Sequence, residues 1–461
     1  MRISNLLCVL AAFLFLVTTV SMLTGCAQIG TPTGGPRDSI PPVLIAAVPQ
    51  QYSTNFTGNK ITLSFDEYIV VDDVQKNVVL SPYPKSNPQV DFKLRTVTVK
   101  LKDTLAPNTT YAIDFGNAIK DNNEGNVFRN FTYVFSTGDT IDSLTLSGEV
   151  ILAETGKKDS TIIAMLYRNA HDTTVQIRKP DYIARLNGDG RFTFRNLSAG
   201  SYKVYALKDE DGRKMYNSKT KIFAFADTDI LVSDSTAPVT LYAYAEEKVK
   251  ATTTQRTLPE KKLRYTTTVS DAPQSLLRGL DITFNRPLKQ YDASKIILTD
   301  SAFNPVAGTA FSLDSNSKIL TLSRKWSEGT AYNLIIDKAA VTDTLGEQIF
   351  KTDTIAFKTK TAEDYGTVLL RFTNIDTAKH QVLLLMRGDE VYTSFSITGP
   401  NWSDKYMEPG EYELRVLYDD NRNGKWDTGS YENKRQPEKA ITLDKKLTIR
   451  SNWENERDIE L

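Results

Sequence analysis

The run Ile61-Thr62-Leu63-Ser64-Phe65 alternates apolar and polar side chains, and so does Thr96-Val97-Thr98-Val99-Lys100-Leu101. An alternation with a period of two is typical of a β-strand that buries one face and exposes the other. Similar runs recur at short intervals, separated by turn-forming pairs such as Pro107-Asn108 and Asn423-Gly424. No amphipathic helical pattern is longer than about three turns. The chain is therefore predicted to be all-β, with tandem β-sandwich modules.

Two regions of the chain repeat each other. Residues 61–66 (ITLSFD) are echoed by residues 280–285 (LDITFN). Further matches follow in the same order, with residues 105–111, 118–121 and 133–137 paralleling residues 326–332, 340–343 and 355–359. A shared order of short motifs indicates an internal repeat of one structural unit. We predict two sandwiches of this first type, at residues 41–140 and 262–362.

This first pattern resembles the bacterial Ig-like domain family, whose members have an early strand with Phe, a central hairpin and a closing Phe-x-Thr strand. Phe65 and Phe284 lie in the early strands of the two copies. The first copy, with Phe65-Asp66-Glu67-Tyr68, is similar to the leading domain of Ig-like lipoproteins from Bacteroidetes, whereas the second has Asn285-Arg286-Pro287 there. The resemblance implies an immunoglobulin-like sandwich in each copy.

A second module type alternates with the first. It is marked by residues 192–206 (FTFRNLSAGSYKVYA) and, later in the chain, by residues 407–416 (MEPGEYELRV). The pattern resembles the transthyretin-like or carboxypeptidase-regulatory-like sandwich, in which a turn closed by Gly leads into a strand that begins with Tyr. The resemblance implies non-catalytic spacer or recognition modules at residues 141–246 and 363–461. The polar segment 247–261 is predicted to be a linker.

The N-terminus has the features of an export signal. A positive start at Arg2 precedes the apolar residues 6–23, which end in Leu23-Thr24-Gly25-Cys26. This ending resembles the cleavage motif of bacterial lipoproteins, which implies a signal peptide at residues 1–25 and a lipid on Cys26. Residues 26–40 are rich in Gly, Pro and Thr and are predicted to form a tether. In this group of lipoproteins, an acidic run after the cysteine resembles a signal for export to the cell surface. No such run follows Cys26, so we expect the protein at the periplasmic face of the outer membrane.

Composition excludes some partners. The chain carries 56 Lys and Arg against 56 Asp and Glu and has no basic block, so nucleic acid is not an expected partner. Its two cysteines are Cys8 and Cys26, and Cys8 lies in the segment expected to be removed. The mature chain is therefore predicted to be stabilised by burial and not by an internal disulfide.

The sequence contains no catalytic motif. It has two histidines, His171 and His380, each beside polar residues, and no Gly-x-Ser-x-Gly, His-Glu-x-x-His or phosphate-loop pattern. The adjacent carboxylates Asp66-Glu67 and Asp72-Asp73 would point to opposite faces of a strand and could not converge on one bond. We expect a non-enzymatic protein, with a hydrolase whose site no motif reveals as an alternative.

Aromatic residues cluster near the C-terminus. Trp402, Trp426 and Tyr431 fall in the last predicted module, as does Trp453. Their rings could pack in a sandwich core, or they could form an exposed surface that stacks on sugar rings. The second interpretation would make the last module a carbohydrate receptor, and it remains open at this stage.

A calcium-loop pattern lies in the same module. Residues 419–427 read DDNRNGKWD, which places the oxygen side chains of Asp419, Asn421, Asn423 and Asp427 at the first, third, fifth and ninth places, and Gly424 at the sixth. The backbone carbonyl of Lys425 would be the seventh-place ligand. The twelfth place is Ser430, so Glu432 would have to supply the last carboxylate. The alternative is a hairpin in which Asn423-Gly424 makes a type I′ turn. No other cofactor is expected.

These observations favour a non-enzymatic, lipid-anchored protein of the cell envelope with a structural, adhesive or partner-binding role. The expected partners are the membrane, through the lipid, and an unidentified envelope protein or glycan.

Limited proteolysis tests the predicted module boundaries. The first cut should fall within residues 247–261, because this is the longest polar stretch without strand alternation. Mass spectrometry of the fragments locates the cut. Protection there, combined with early cuts inside the predicted sandwiches, would contradict the module arrangement.

Overall fold

The computed structural model describes residues 11–13, 37–248, 262–270, 272–376 and 378–461. Cys26, most of the predicted signal and tether, and most of the predicted linker lie outside these residues. The described part is nearly all-β, which confirms the predicted fold class. Its short helices are α1 (Val74–Asn77), α2 (Thr174–Ile177) and the 3-10 helices Ala293–Lys295 and Ala362–Asp364. In the described residues, no helix has the length and apolarity needed to span a membrane.

The chain divides into two compact units. The first comprises residues 1–80, 85–107 and 112–137, and the second comprises residues 81–84, 108–111 and 138–461. The first unit holds one set of sheets, which we call the first sandwich. The second unit holds three successive sets, which we call the second, third and fourth sandwiches.

The first sandwich has nine strands in three sheets. Its strands are β1 (Leu44–Val48), β2 (Lys60–Phe65), β3 (Ile69–Val71), β4 (Val79–Ser81), β5 (Gln89–Lys93), β6 (Thr96–Lys100), β7 (Thr110–Gly116), β8 (Ile119–Asp121) and β9 (Phe131–Ser136). The sheet orders are β1-β2-β6-β5, β3-β8 and β4-β7-β9. The alternating run of β2 buries Ile61, Leu63 and Phe65 on one face, as its period of two requires.

The second sandwich follows with eight strands in two sheets. They are β10 (Leu144–Leu152), β11 (Ile162–Arg168), β12 (Tyr182–Arg185), β13 (Arg191–Leu197), β14 (Gly200–Lys208), β15 (Phe223–Phe225), β16 (Ile230–Val232) and β17 (Val239–Ala243). One sheet has the order β13-β10-β17, with β10 and β17 parallel. The other has the order β12-β11-β14-β15, with β16 also paired to β14. The main core lies between the two sheets.

The third sandwich repeats the topology of the first. Its strands are β18 (Tyr265–Thr267), β19 (Leu280–Phe284), β20 (Leu288–Tyr291), β21 (Ile296–Asp300), β22 (Ala310–Leu313), β23 (Ile319–Ser323), β24 (Ala331–Ile336), β25 (Val341–Asp343) and β26 (Asp353–Lys358). The sheet orders β18-β19-β23-β22, β20-β25 and β21-β24-β26 match those of the first sandwich strand by strand.

The fourth sandwich repeats the topology of the second. Its strands are β27 (Gly366–Thr373), β28 (Gln381–Arg387), β29 (Glu390–Ser396), β30 (Asn401–Met407), β31 (Gly410–Tyr418), β32 (Lys439–Thr442), β33 (Leu447–Ile449) and β34 (Glu454–Glu460). The sheet orders are β30-β27-β34 and β29-β28-β31-β32, with β33 paired to β31 and with β27 and β34 parallel.

The Gly-to-Tyr signature of the second and fourth sandwiches has a physical basis. Gly200 and Gly410 open β14 and β31 with φ of 152° and 150°, a backbone conformation that residues with a Cβ rarely adopt. Two residues later, the rings of Tyr202 and Tyr412 are fully buried, and each hydroxyl donates to the carbonyl oxygen four residues earlier. The signature therefore turns the chain and ties the turn to the core.

In the first and third sandwiches, an aspartate closes the turn that follows β8 and its counterpart β25. The carboxylate of Asp121 accepts hydrogen bonds from the four consecutive backbone N–H groups of residues 123–126, which lowers its pKa against the opposing effect of burial. Asp343 accepts from the N–H groups of Leu345 and Glu347. Both aspartates are buried, but in the third sandwich the carboxylate of Asp343 also lies 3.0 Å from the guanidinium of Arg286.

Removing Arg286 tests how much this buried ion pair contributes to the stability of the protein. Arg286→Met leaves the Asp343 carboxylate buried without its cation, so the free energy of unfolding should fall by about 3 kcal/mol. Chemical denaturation of the full chain measures the change. Arg371→Met is the control, since Arg371 pairs with Glu456 on the surface and its loss should have little effect. Equal effects of the two substitutions would contradict the assigned role.

Candidate functional site

The predicted calcium residues lie in the connection from β31 to β32, which we call the 419–438 loop. Asp419 is 2% exposed, and its carboxylate accepts hydrogen bonds from the backbone N–H groups of Asn423 and Gly424. Gly424 has φ of 74°, in the left-handed region that favours glycine. Asp419 therefore anchors the tight turn that the sequence pattern predicted for this position.

The remaining pattern residues converge on Asp427. The side-chain amides of Asn421 and Asn423 both donate to the same Asp427 carboxylate oxygen, the second at 2.6 Å. The Asn423 side-chain oxygen in turn accepts from the backbone N–H of Lys425 at 2.7 Å. Asp419, Asn421, Asn423 and Asp427 thus share one turn, which both the calcium loop and the alternative hairpin require.

The sequence pattern missed Glu438, which closes this loop. Its carboxylate accepts hydrogen bonds from the backbone N–H groups of Asp420 and Asp427, both at 3.0 Å, and its side chain lies beside the turn. Burial and, to a smaller extent, the negative charges of Asp419 and Asp427 raise the pKa of Glu438. Glu438 follows Asp427 by 11 residues. A spacing rule confined to twelve positions could not reach it.

Glu432 does not fill the position expected of it. Its side chain is 79% exposed and points to Lys219 of the second sandwich at 3.8 Å. The expectation that Glu432 supplies the last carboxylate is wrong for this conformation, because Glu438 makes the hydrogen bonds to the loop. Among the described residues, no group of three or more His, Cys, Asp or Glu side chains is arranged to hold a metal ion. Calcium binding by the mixed amide and carboxylate set remains a prediction.

Tyr431 lies in the same loop and is buried. Its ring is 4% exposed and makes edge contacts with Tyr205, Phe223 and Phe225 of the second sandwich at centroid distances of 5.1 to 5.9 Å. Its hydroxyl meets that of Tyr205 at 2.9 Å and donates to the backbone carbonyl of Asp172 at 2.6 Å. Burial raises the pKa of Tyr431 to about 12. The interpretation of Tyr431 as a sugar-stacking residue is wrong, because its ring has no open face.

Of the three tryptophans in this module, Trp426 packs against the apolar cluster that contains Tyr431. Trp402 stacks flat on Phe395 at 3.9 Å and packs against the core of the fourth sandwich. Trp426 donates its indole N–H to the carbonyl of Glu438 and packs on the opposite face of the sheet. Trp453 lies in a bend just before β34 and is 61% exposed. Trp402, Trp426 and Tyr431 therefore do not form one exposed surface, and the alternative of core packing describes Trp402 and Tyr431 better.

Trp426 lines an open cavity of about 640 Å³ between the second and fourth sandwiches. Leu384 and Met386 form part of its wall, and Arg415 and Glu246 supply charges at its edge. Arg415 is paired with Glu413 at 2.7 Å, and Glu246 accepts from the hydroxyl of Tyr216 at 2.7 Å. The charged side chains named here are thus already engaged in contacts within the protein.

The candidate acid and base residues have structural partners as well. Asp66 accepts from the backbone N–H of Val43, Asp72 pairs with Lys120 at 2.7 Å, and Asp73 caps α1 by accepting from Lys76. Glu67 has a raised pKa, first through burial and then through nearby carboxylates, of which Asp121 has the largest effect. His171 and His380 are exposed and belong to different sandwiches.

Comparison with known proteins identifies part of the chain. Residues 38–137 and 262–359 match the family model of the bacterial Ig-like domain. These segments contain the first and third sandwiches, so the prediction of bacterial Ig-like domains in these two places is confirmed. No curated protein matches the chain.

Solved structures with some similarity include native alpha-2-macroglobulin from Escherichia coli, which is 16% identical over 40% of this chain and 72% of that chain, with a TM-score of 0.20. BcpA, the major pilin subunit of Bacillus cereus, is 12% identical over 69% of this chain and 99% of that chain, at 0.17. The N-terminal part of the bacterial S-layer protein SbsC is 13% identical over 45% of this chain and 44% of that chain, with a TM-score of 0.16. At these TM-scores the matches carry no inference about function.

Calorimetric titration of the protein with calcium tests the loop. Binding should occur in the range of about 0.1 to 1 mM and should be lost in Asp427→Asn, which removes a charge from the turn. Glu432→Gln is the matched control and should bind as the wild type does, because Glu432 lies on Lys219. The absence of binding heat at several times the upper concentration, or equal binding by Asp427→Asn, would contradict a calcium site and would show that these residues only form the turn.

Proposed function

We propose that this protein is a non-enzymatic, lipid-anchored component of the cell envelope that serves as a structural or adhesive scaffold. Support comes from its nearly all-β architecture and its two bacterial Ig-like segments. The observation that carries the proposal is that the 419–438 loop, which holds most of the candidate binding side chains, packs against the second sandwich. Its central aromatic, Tyr431, is buried against the second sandwich. The loop thus joins the second and fourth sandwiches.

The second and fourth sandwiches are proposed to be transthyretin-like modules. They share one strand order, a parallel pairing of first and last strands, and the buried Gly-to-Tyr turn. Such modules act as spacers or recognition units, which fits a scaffold in which they alternate with the Ig-like sandwiches. The first sandwich, with Phe65-Asp66-Glu67-Tyr68, fits a lipoprotein of the Bacteroidetes type.

Lipid attachment at Cys26 is the second part of the proposal. The sequence of residues 1–40 supports a cleaved signal, a lipidated cysteine and a short tether. Acyl chains on Cys26 would hold the sandwiches at the periplasmic face of the outer membrane. Their partner in that position would be an envelope protein or a glycan of the envelope.

Substitution of Cys26 tests the anchor. In cells grown with radiolabelled palmitate, the wild type should be labelled and recovered in the membrane fraction. Cys26→Ser should be unlabelled, because a serine cannot receive the thioether-linked lipid. Cys8→Ser is the matched control and should behave as the wild type does, since Cys8 lies in the segment predicted to be removed.

The two outcomes separate the models of the N-terminus. Recovery of Cys26→Ser as an uncleaved integral membrane protein would show that residues 6–23 remain as a helix and would contradict the lipoprotein proposal. The scaffold role is tested separately by measuring detergent sensitivity of cells that lack the protein. Normal resistance in the deletion strain would argue against a structural role in the envelope.

A further inference from the structure

The second and fourth sandwiches dock directly on each other, although the third sandwich separates them in the sequence. The outer face of the sheet β12-β11-β14-β15 carries a group of large apolar and aromatic side chains, and Tyr431 of the fourth sandwich completes this group. Phe223, Phe225 and Tyr205 surround the inserted ring. Burial of an aromatic side chain in a pocket of this kind typically dominates the energy of an interface.

Backbone hydrogen bonds extend the contact beyond Tyr431. The N–H groups of Ala440 and Thr442 in β32 donate to the carbonyl oxygens of Ala153 and Thr155, at 2.7 and 2.9 Å. The chain approaches closely here: a Cβ on Gly156, which has φ of 69°, would lie 3.0 Å from the carbonyl oxygen of Ala440. Backbone hydrogen bonds therefore join β32, the edge strand of the fourth sandwich, to the turn after β10 in the second sandwich.

Polar contacts surround this centre. Gln436 donates to the carbonyl of Phe225 and to Asp227, and Thr428 donates to the carbonyl of Ala245. Ion pairs join Lys434 to Asp172 at 3.1 Å and Lys157 to Glu413 at 2.8 Å. An aromatic centre with a polar rim is the usual anatomy of a specific protein interface. We call the 419–438 loop together with β32 the clasp.

The clasp gives the second unit two connections between the same sandwiches. One is covalent and runs through residues 247–261 and the third sandwich. The other is the clasp, which joins the two sandwiches directly. The fourth sandwich cannot move away from the second until Tyr431 leaves its pocket and the β32 hydrogen bonds break.

We propose that the clasp bears the tension applied between the N-terminal anchor and the C-terminal sandwich, and that it shields the third sandwich and the 247–261 segment from load. The inference rests on the proposed scaffold function, in which the chain links a membrane to a partner. Opening of the clasp would lengthen the protein without unfolding any sandwich.

Cleavage of the covalent connection provides the test. A protease site is inserted within residues 247–261 of the full chain, and the cut protein is examined by gel filtration at low concentration. The two fragments should elute together. In optical tweezers with handles at residues 139 and 461, the cut protein should break at the force that produces the first length step in the uncut protein.

Three variants connect these results to the clasp. Tyr431→Ala should weaken association of the cut fragments by at least about thirtyfold. Gly429→Val should act similarly while keeping the Tyr431 ring, because a Cβ there would lie 2.5 Å from the ring of Tyr244 in the second sandwich and 2.8 Å from the carbonyl oxygen of Arg435. Trp453→Ala, an exposed aromatic of the same sandwich, is the matched control and should associate as the wild type does. Circular dichroism of the uncut variants verifies folding.

Separation of the cut wild-type fragments, or rupture far below the first step of the uncut protein, would overturn the load-bearing proposal. So would unchanged association in Gly429→Val. These outcomes are independent of the anchor, since they use the protein without its membrane. Failure of lipid attachment would remove the proposed function and leave the clasp measurements as they stand.

Discussion

Insertion of Tyr431 into the outer sheet face of the second sandwich is the contact on which the docking of the fourth sandwich depends. The sheet β12-β11-β14-β15 has two apolar faces, one against its own sandwich core and one turned outward. An outward face that contains Phe223 and Tyr205 would be costly to leave in water. The fourth sandwich covers it, with the two tyrosine hydroxyls paired so that neither is buried without a partner.

The repeated sandwiches show how one topology takes two roles. In the second sandwich the connection between β11 and β12 contains α2, and Val175 of that helix packs on the outer face beside Tyr431. In the fourth sandwich the equivalent strands β28 and β29 are joined by a short turn at Gly388. There Trp426 of the same chain covers part of the face. The loops of the two sandwiches differ so that the second sandwich receives the Tyr431 ring and the fourth sandwich inserts it.

Local physics explains which features were predictable from the sequence. Alternation in residues 61–65 and 96–101 reports on the burial of strand faces, and the Gly200 and Gly410 turns depend on a backbone angle of a single residue. The loop around Asp419 is likewise held by bonds to residues four and five positions away. Each of these signals lies within a short window of the chain.

The features that could not be predicted depend on contacts over long distances in the sequence. Tyr431 and Tyr205 are 226 residues apart, and no local pattern distinguishes a ring that fills a distant pocket from one that faces solvent. Glu438 was also missed because of sequence separation, although a shorter one: its partners Asp420 and Asp427 lie 18 and 11 residues upstream. For the same reason the sequence leaves open whether Trp402, Trp426 and Tyr431 pack in a core or form an exposed sugar-binding surface.

Residue-resolved hydrogen exchange of the uncut protein tests the docking of the two sandwiches most directly. The amides of Ala440 and Thr442 lie on β32, and their only route to protection on that side is the pairing with Ala153 and Thr155 among the described residues. If the sandwiches are docked, both amides exchange as slowly as those in the interior strand β31. Exchange of both at the rate of an open edge strand would contradict the account.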